Sequence, residues 1–218
     1  TGPYKNWNAR CAECHATGYE KNYDPRSRTY TSTQAEIGVG CEACHGPGEA
    51  HVAWAQSPSS SRTSQAEGLT DKGFTIDFRA SSPETENQLC ATCHARREPL
   101  SDSSPVPGTS FHDSYQLALL RPGLYHPDGS ILEEVYVYGS FLQSRMYAKG
   151  VRCTDCHDPH SARLKADGNA VCTQCHSKAG NDRFPTLRKA DYDTPDHHFH
   201  KPESAGAQCR SCHMIERV

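Results

Sequence analysis

Long apolar stretches are missing from this sequence. Hydrophobic residues make up 35% of the 218 positions, and the mean hydropathy is −0.78. No run of about 18 apolar residues occurs, so no membrane-spanning helix is predicted. An excess of basic residues is also missing, because 23 Lys and Arg face 26 Asp and Glu, and this excludes a basic surface for nucleic acid. A core made from side chains alone is therefore expected to be small.

Such a chain is either largely disordered or filled by a group other than its side chains. Cysteine and histidine are the two abundant residue types that bear on this choice, with 12 and 13 copies, whereas methionine occurs only twice. The chain begins at Thr1 without an initiator methionine, so we expect a mature form or an excerpt of a longer protein.

Every cysteine belongs to a Cys-x-x-Cys pair that is followed directly by histidine, which is the attachment pattern of c-type haem. Paired cysteines also bind zinc or form disulfides, but neither chemistry needs a histidine after each pair. We number the motifs 1 to 6 in chain order: Cys11–Cys14–His15, Cys41–Cys44–His45, Cys90–Cys93–His94, Cys153–Cys156–His157, Cys172–Cys175–His176 and Cys209–Cys212–His213.

The spacing has a physical reason. Residues i, i+3 and i+4 share one face of a helical turn, so both thiols can bond one haem while the histidine binds its iron. The sequence therefore predicts six haem c groups, 12 attaching cysteines and six proximal histidines. Without haem the chain is expected to be unfolded, since the macrocycles replace the missing apolar core.

Seven histidines lie outside the motifs and are candidates for the six distal iron positions. His160 follows His157 too closely to reach the opposite face of the same haem, so it must serve another one, and the same holds for His51 after His45. In an extended segment His197 and His198 would point to opposite sides, with His200 beside His198. The distal candidates are His51, His126, His160, His197, His198 and His200, and His112 is the least favoured.

The predicted fold is mainly α with much irregular structure, in which short helices and loops surround a six-haem core, with one small hairpin. We expect one hexahaem domain over 1–218, divisible into lobes 1–110 and 111–218 with three haems each. Helices are predicted at 49–56, 112–120 and 140–149, a strand or hairpin arm at 131–138, and surface loops at 57–66 and 99–110.

Four segments carry a specific resemblance, at residues 2–15, 40–54, 138–161 and 207–214. They include Gly-Cys-Glu-Ala-Cys-His-Gly-Pro-Gly-Glu-Ala-His and Cys-Thr-Asp-Cys-His-Asp-Pro-His. The chain resembles the multihaem cytochromes often fused to tetratricopeptide repeats, within the group that includes cytochrome c554. The resemblance implies that the six motif histidines are proximal ligands. It also favours His51, His126, His160 and the His197–His200 cluster as distal ones.

The predicted function is electron transfer along closely spaced bis-histidine haems, and the residues favour an electron carrier over an enzyme. A sharper hypothesis makes the chain the subunit of an extracellular filament that grows by end-to-end stacking. The alternative is a reductase of nitrite, hydroxylamine or a sulfur oxyanion, which needs one haem with an open face. Redox proteins are the expected partners, and the cysteine chemistry predicts a periplasmic or extracellular location.

Overall fold

The computed structural model describes residues 5–61, 68–70 and 72–215. Two compact units, Thr1–Ser144 and Arg145–Val218, divide the chain. Motifs 1 to 3 belong to unit 1, and motifs 4 to 6 belong to unit 2. That lobes 1–110 and 111–218 each hold three haems stays a prediction.

Short helices make up most of the regular structure of unit 1. A π-helical turn at Trp7–Cys11 leads into the first of them, and a 3₁₀ turn lies at Ser59–Ser61. The helices are α1 (Ala12–His15), α2 (Glu42–His45), α3 (Glu49–Gln56), α4 (Pro83–His94), α5 (Phe111–Ser114) and α6 (Tyr138–Phe141).

Helix α4 is the longest in the described residues and delivers motif 3 at its C-terminal end. Its first residue, Pro83, has a backbone already suited to a helical start. The Ser82 hydroxyl accepts a hydrogen bond from the Thr85 backbone N–H at 3.0 Å, which caps the helix. The helix ends at the motif histidine because Ala95 adopts an extended conformation.

The strands of unit 1 are two or three residues long and pair in antiparallel fashion. They are β1 (Ala16–Thr17) with β4 (Glu36–Ile37), β2 (Tyr23–Asp24) with β3 (Thr29–Tyr30), and β5 (Arg97–Pro99) with β6 (Tyr115–Leu117). Strands β1 and β5 begin within three residues of motifs 1 and 3, so pairing fixes the chain where it leaves each motif.

Two small clusters of buried side chains lie against these motifs. Ala12, Ala16 and Tyr19 form one cluster, beside motif 1. The other consists of Ala91, Ala95, Phe111, Tyr115 and Tyr138. Because Ala12 and Ala91 belong to the motif helices α1 and α4, the core of unit 1 packs directly against motifs 1 and 3.

Unit 2 is built almost entirely without a side-chain core. Its helices and strands are α7 (Arg145–Ala148), α8 (Cys153–Cys156), β7 (His157–Asp158), β8 (Arg163–Leu164), α9 (Ala170–Thr173), α10 (Pro195–His198) and α11 (Cys209–His213). Strand β7 pairs with β8, and a 3₁₀ turn lies at Ala205–Ala207. Within residues 145–215, Ala207 is the one hydrophobic side chain that is buried.

Hydrogen bonds of Asn169 tie the segments of unit 2 together. The Asn169 side-chain carbonyl accepts from the Cys209 backbone N–H at 2.8 Å, at the start of motif 6. Its amide donates to the Ala207 carbonyl at 2.9 Å and to Asp193 Oδ1 at 2.7 Å. One side chain thus positions the approaches to motifs 5 and 6.

The predicted balance of short helices and irregular structure is confirmed. One hairpin was expected, but the described residues contain four two-stranded sheets. The helix at 49–56 is confirmed as α3. The loop predicted at 57–66 lies outside the described residues from position 62 onward.

Three other element predictions are corrected. The stretch 112–120 turns from helix α5 into strand β6, because Tyr115 pairs with Pro99 and packs in the core. No strand spans 131–138, since Tyr136 has a φ of 59°, which interrupts extended backbone. The helix predicted at 140–149 is divided into α6 and α7.

We expect Asn169→Ala to lower the free energy of unfolding of the haem-loaded protein by roughly 1–3 kcal/mol, because polar groups that it pairs lose their partner. Lys178→Ala is the matched control, as it removes an exposed ion pair with Asp191 worth less than about 1 kcal/mol. Thermal unfolding followed by circular dichroism measures both, and equal melting temperatures for the two variants would contradict the role of Asn169.

Candidate haem-attachment sites

All six motifs adopt the local geometry that their spacing predicts. Each lies on or at the end of a helical turn, in α1, α2, α4, α8, α9 or α11. No two of the 12 cysteines, all of which lie in described residues, are joined by a disulfide. A helical turn of four or five residues thus presents two thiols and a histidine from one short segment.

In unit 1, cysteines of different motifs meet. The Cys14 thiol donates to the Cys93 carbonyl at 3.9 Å. The hydrogen bond that the Cys14 thiol donates to Cys93, together with burial, raises the pKa of Cys14. The same hydrogen bond lowers the pKa of Cys93 to about 6. Burial and then the nearby charge of Cys93 raise the pKa of Cys44, so motif 3 lies close to both motif 1 and motif 2.

The same convergence occurs in unit 2. Burial raises the pKa of Cys172, which also forms a hydrogen bond with Cys209. Burial, and then the charges of Asp155 and Cys175, raise the pKa of Cys156. Motif 5 therefore lies close to both motif 4 and motif 6, and groups attached at these cysteines must be near neighbours.

A cavity of about 180 Å³ lies in unit 1 between motifs 1 and 3. Cys14 and Cys93 line it together with apolar side chains that include Val39, Leu89 and Phe111. Because Cys14 and Cys93 belong to different motifs, this apolar space borders two attachment sites.

Several large apolar side chains are exposed, among them Val39 and Leu119. Apolar cofactors packed inside each unit account for surface that a side-chain core of this size leaves uncovered.

His51 is prepared to act as a metal ligand. Its Nδ1 donates to the Lys72 carbonyl at 2.8 Å, and the Phe74 ring stacks on it with centroids 3.9 Å apart. Because a carbonyl only accepts, Nδ1 carries a proton, and Nε2 is the nitrogen that a metal would bind. A hydrogen bond of this kind fixes the tautomer and orientation of a ligating imidazole.

His197 lies beside His213, the histidine of motif 6. Their rings are parallel within 2°, with centroids 6.2 Å apart. An imidazole nitrogen lies about 2 Å from a bound metal and the ring centroid about 1 Å further, so two imidazoles on opposite faces of one metal have centroids roughly 6 Å apart. His213 is the histidine of motif 6, so this pair fits that haem.

The expected extended geometry of this cluster is wrong. His197 and His198 lie in helix α10, because Pro195 starts a helical turn there. Phe199 then ends the turn with a φ of 60°. This places His200 beside His198, as predicted, with ring centroids 6.4 Å apart.

The other distal candidates are exposed or half-buried. His160 lies in the β7–β8 turn, where its backbone N–H donates to Asp158 Oδ1 at 3.1 Å, and its side chain is 83% exposed. His126 is half-buried, and its backbone N–H donates to the Ser130 carbonyl. His112 is exposed and meets the edge of Phe111.

Sequence reasoning missed the buried charges beside motif 1. Glu13 lies between Cys11 and Cys14 and binds both Arg97 and Lys21. The sequence shows only that Glu13 is an acidic residue inside a motif. It does not show that the partner is Arg97, which lies 84 residues away.

Comparisons with known proteins agree with this geometry. Residues 3–46 match the family of cytochrome c554 and c-prime, and residues 146–181 match the doubled CXXCH motif. The crystal structure of outer cell wall cytochrome OcwA is similar, with a TM-score of 0.59 and 20% sequence identity. The match covers 80% of this chain but 45% of OcwA, so the chain spans less than half of that protein's length. No curated protein sequence matches significantly.

The six motifs and these matches indicate a multihaem c-type cytochrome. Its N-terminal segment is of the cytochrome c554 type, which agrees with the resemblance seen in the sequence. Among the described residues, no helix has the length and apolar character that crossing a bilayer requires.

The near absence of a core in unit 2 predicts that the chain cannot fold without haem. Expressed without haem attachment, it is expected to show a random-coil circular dichroism spectrum and no cooperative melting, whereas the haem-loaded chain melts cooperatively. A cooperative transition in the haem-free chain would show that the side chains alone suffice.

Proposed function

We propose that the chain holds six haem c groups and passes electrons among them, with a histidine on both faces of each iron. The observation that carries this proposal is the His197–His213 pair, whose separation suits an iron between the rings. When bound, each haem supplies an iron that takes up and releases one electron.

The roles of the chain's own residues follow from the motifs. The two cysteines of each motif anchor one macrocycle, and the motif histidine is its proximal ligand. The distal ligands come from His51, His126, His160, His197, His198 and His200, with His112 the least favoured. Two protein ligands per iron exclude water and small ligands, so the residues favour electron transfer over bond-breaking chemistry.

Convergence of the motifs supports rapid exchange within each unit. Motif 3 adjoins motifs 1 and 2, and motif 5 adjoins motifs 4 and 6. Because the attaching thiols of neighbouring motifs are in contact or close to it, the macrocycles that they hold are expected to be near neighbours. Motifs 3 and 5 then act as the central positions of their units.

The reductase alternative requires one iron without a distal ligand. It would apply if one of the candidate histidines serves a structural role instead, and it predicts that the reduced native protein binds carbon monoxide at that iron. Acid and base groups beside the open face would then supply protons.

A finer proposal concerns assembly and location. We place the protein in the periplasm or outside the cell, because haem is attached to such motifs there. The similar structure, OcwA, is an outer cell wall cytochrome, which supports this location. An exposed histidine such as His160 can reach an iron of a neighbouring subunit, as filament stacking requires. Negative-stain imaging that shows filaments would support this assembly, and monomers at all concentrations would exclude it.

His197→Ala is expected to open one iron, because its alanine cannot replace the ring opposite His213. The variant, reduced with dithionite, should bind carbon monoxide at about one haem in six, measured by the change in its absorption spectrum. His112→Ala is the matched control and should bind none. Equal carbon monoxide binding by both variants, normalised to haem content, rules out His197 as a ligand.

A further inference from the structure

A buried group of charges lies between motifs 1 and 3. Glu13 Oε2 accepts from Arg97 Nη1 at 2.7 Å, and Glu13 Oε1 accepts from Lys21 Nζ at 2.9 Å. The side chains of Arg97, Glu13 and Lys21 are 5%, 13% and 14% exposed. Solvent therefore screens these charges far less than it screens surface ion pairs.

Arg97 contacts both motifs. Its Nε donates to the Thr92 carbonyl, inside motif 3, at 2.6 Å. Its Nη2 donates to Cys14 Sγ, in motif 1, at 3.7 Å. The guanidinium also lies 3.8 Å from the centroid of the Tyr115 ring, which fixes its plane. The cation is thus held between the Cys14 thiol of motif 1 and the Thr92 carbonyl of motif 3.

The cluster carries an excess positive charge. Arg97 and Lys21 contribute two cations, Glu13 contributes one carboxylate, and arginine is not deprotonated in proteins. Tyr115 adds no negative charge at neutral pH, because burial raises the pKa of Tyr115 to about 12. The balance beside Cys14 and Cys93 is therefore one positive charge.

We propose that Arg97 and Lys21 raise the reduction potentials of the haems attached by motifs 1 and 3, and that Glu13 partly offsets this effect while it positions Arg97. Reduction adds one negative charge to a haem, and a buried cation stabilises that charge. This inference rests on the proposed attachment of haems at motifs 1 and 3. The excess positive charge favours the reduced state of these two haems.

Unit 2 contains a matched arrangement without the excess charge. Asp155 occupies the same place in motif 4 as Glu13 does in motif 1, directly before the second cysteine. Arg183 Nη1 and Nη2 bind both of its carboxylate oxygens. One cation faces one anion there, and the Arg183 side chain is 49% exposed. Because that pair is neutral and solvated, it is expected to affect haem potentials little.

The test is a redox titration of the haem-loaded protein and its variants, followed by absorption and by electron paramagnetic resonance. Arg97→Met should move two of the six haems to lower potential, so that at their native midpoint the ratio of reduced to oxidised haem falls about tenfold. Glu13→Gln should move the same two haems to higher potential. Arg97→Lys should retain most of the native potential. Arg183→Met, the matched control, also removes one positive charge, but it should shift the potentials much less than Arg97→Met, because solvent screens the Arg183 side chain, which is 49% exposed.

The opposite signs separate an electrostatic role from a structural one. If Arg97→Met and Glu13→Gln shift the potentials in the same direction, or if Arg97→Lys shifts them as far as Arg97→Met, the residues act only by packing and the inference is wrong. The same holds if all six haems move equally or none moves.

Haem content, measured by the pyridine haemochrome method, accompanies each titration. If Arg97→Met loses haem, Lys21→Met replaces it, with a shift to lower potential again expected and its absence contradicting the inference. A native protein with fewer than six haems would contradict the proposed function but not this inference, which the shifts at motifs 1 and 3 still decide.

Discussion

Covalent attachment through a single helical turn is the constraint on which the rest of this structure depends. A segment of five residues supplies two thiols and one ligand, so each haem needs little surrounding fold to hold it. This explains why helices of four or five residues are enough and why unit 2 has one buried hydrophobic side chain in its described part. Without attached haem, a unit with so few buried side chains would be unfolded, because too little apolar surface is removed from water.

The polar contacts of the chain serve to place the motifs relative to one another. Asn169 links the approaches to motifs 5 and 6, Arg97 links motifs 1 and 3, and Arg183 holds Asp155 inside motif 4. These side chains hold attachment points at short separations, which is the geometry that electron exchange requires. In unit 1 the same contacts also place an uncompensated positive charge beside motifs 1 and 3.

Local signals in the sequence were sufficient for local structure. The motif turns and α3 were predictable because spacing and helix-forming residues act within a few positions. Prediction failed where distant contacts decide, as at Tyr115, which leaves its helix to pair with Pro99. It also failed at Tyr136, whose left-handed backbone interrupts an apparent strand. The His197–His213 pair and the Glu13–Arg97 ion pair join residues far apart in sequence, so their residue types were visible but their partners were not.

The central claim is that protein ligands close both faces of every iron. The measurement that tests it most directly is the absorption spectrum of the dithionite-reduced native protein before and after carbon monoxide is added, with haem counted against protein. The account predicts six haems per chain and an unchanged spectrum. A change equivalent to about one haem in six would show an open iron, contradict the account and favour the reductase alternative.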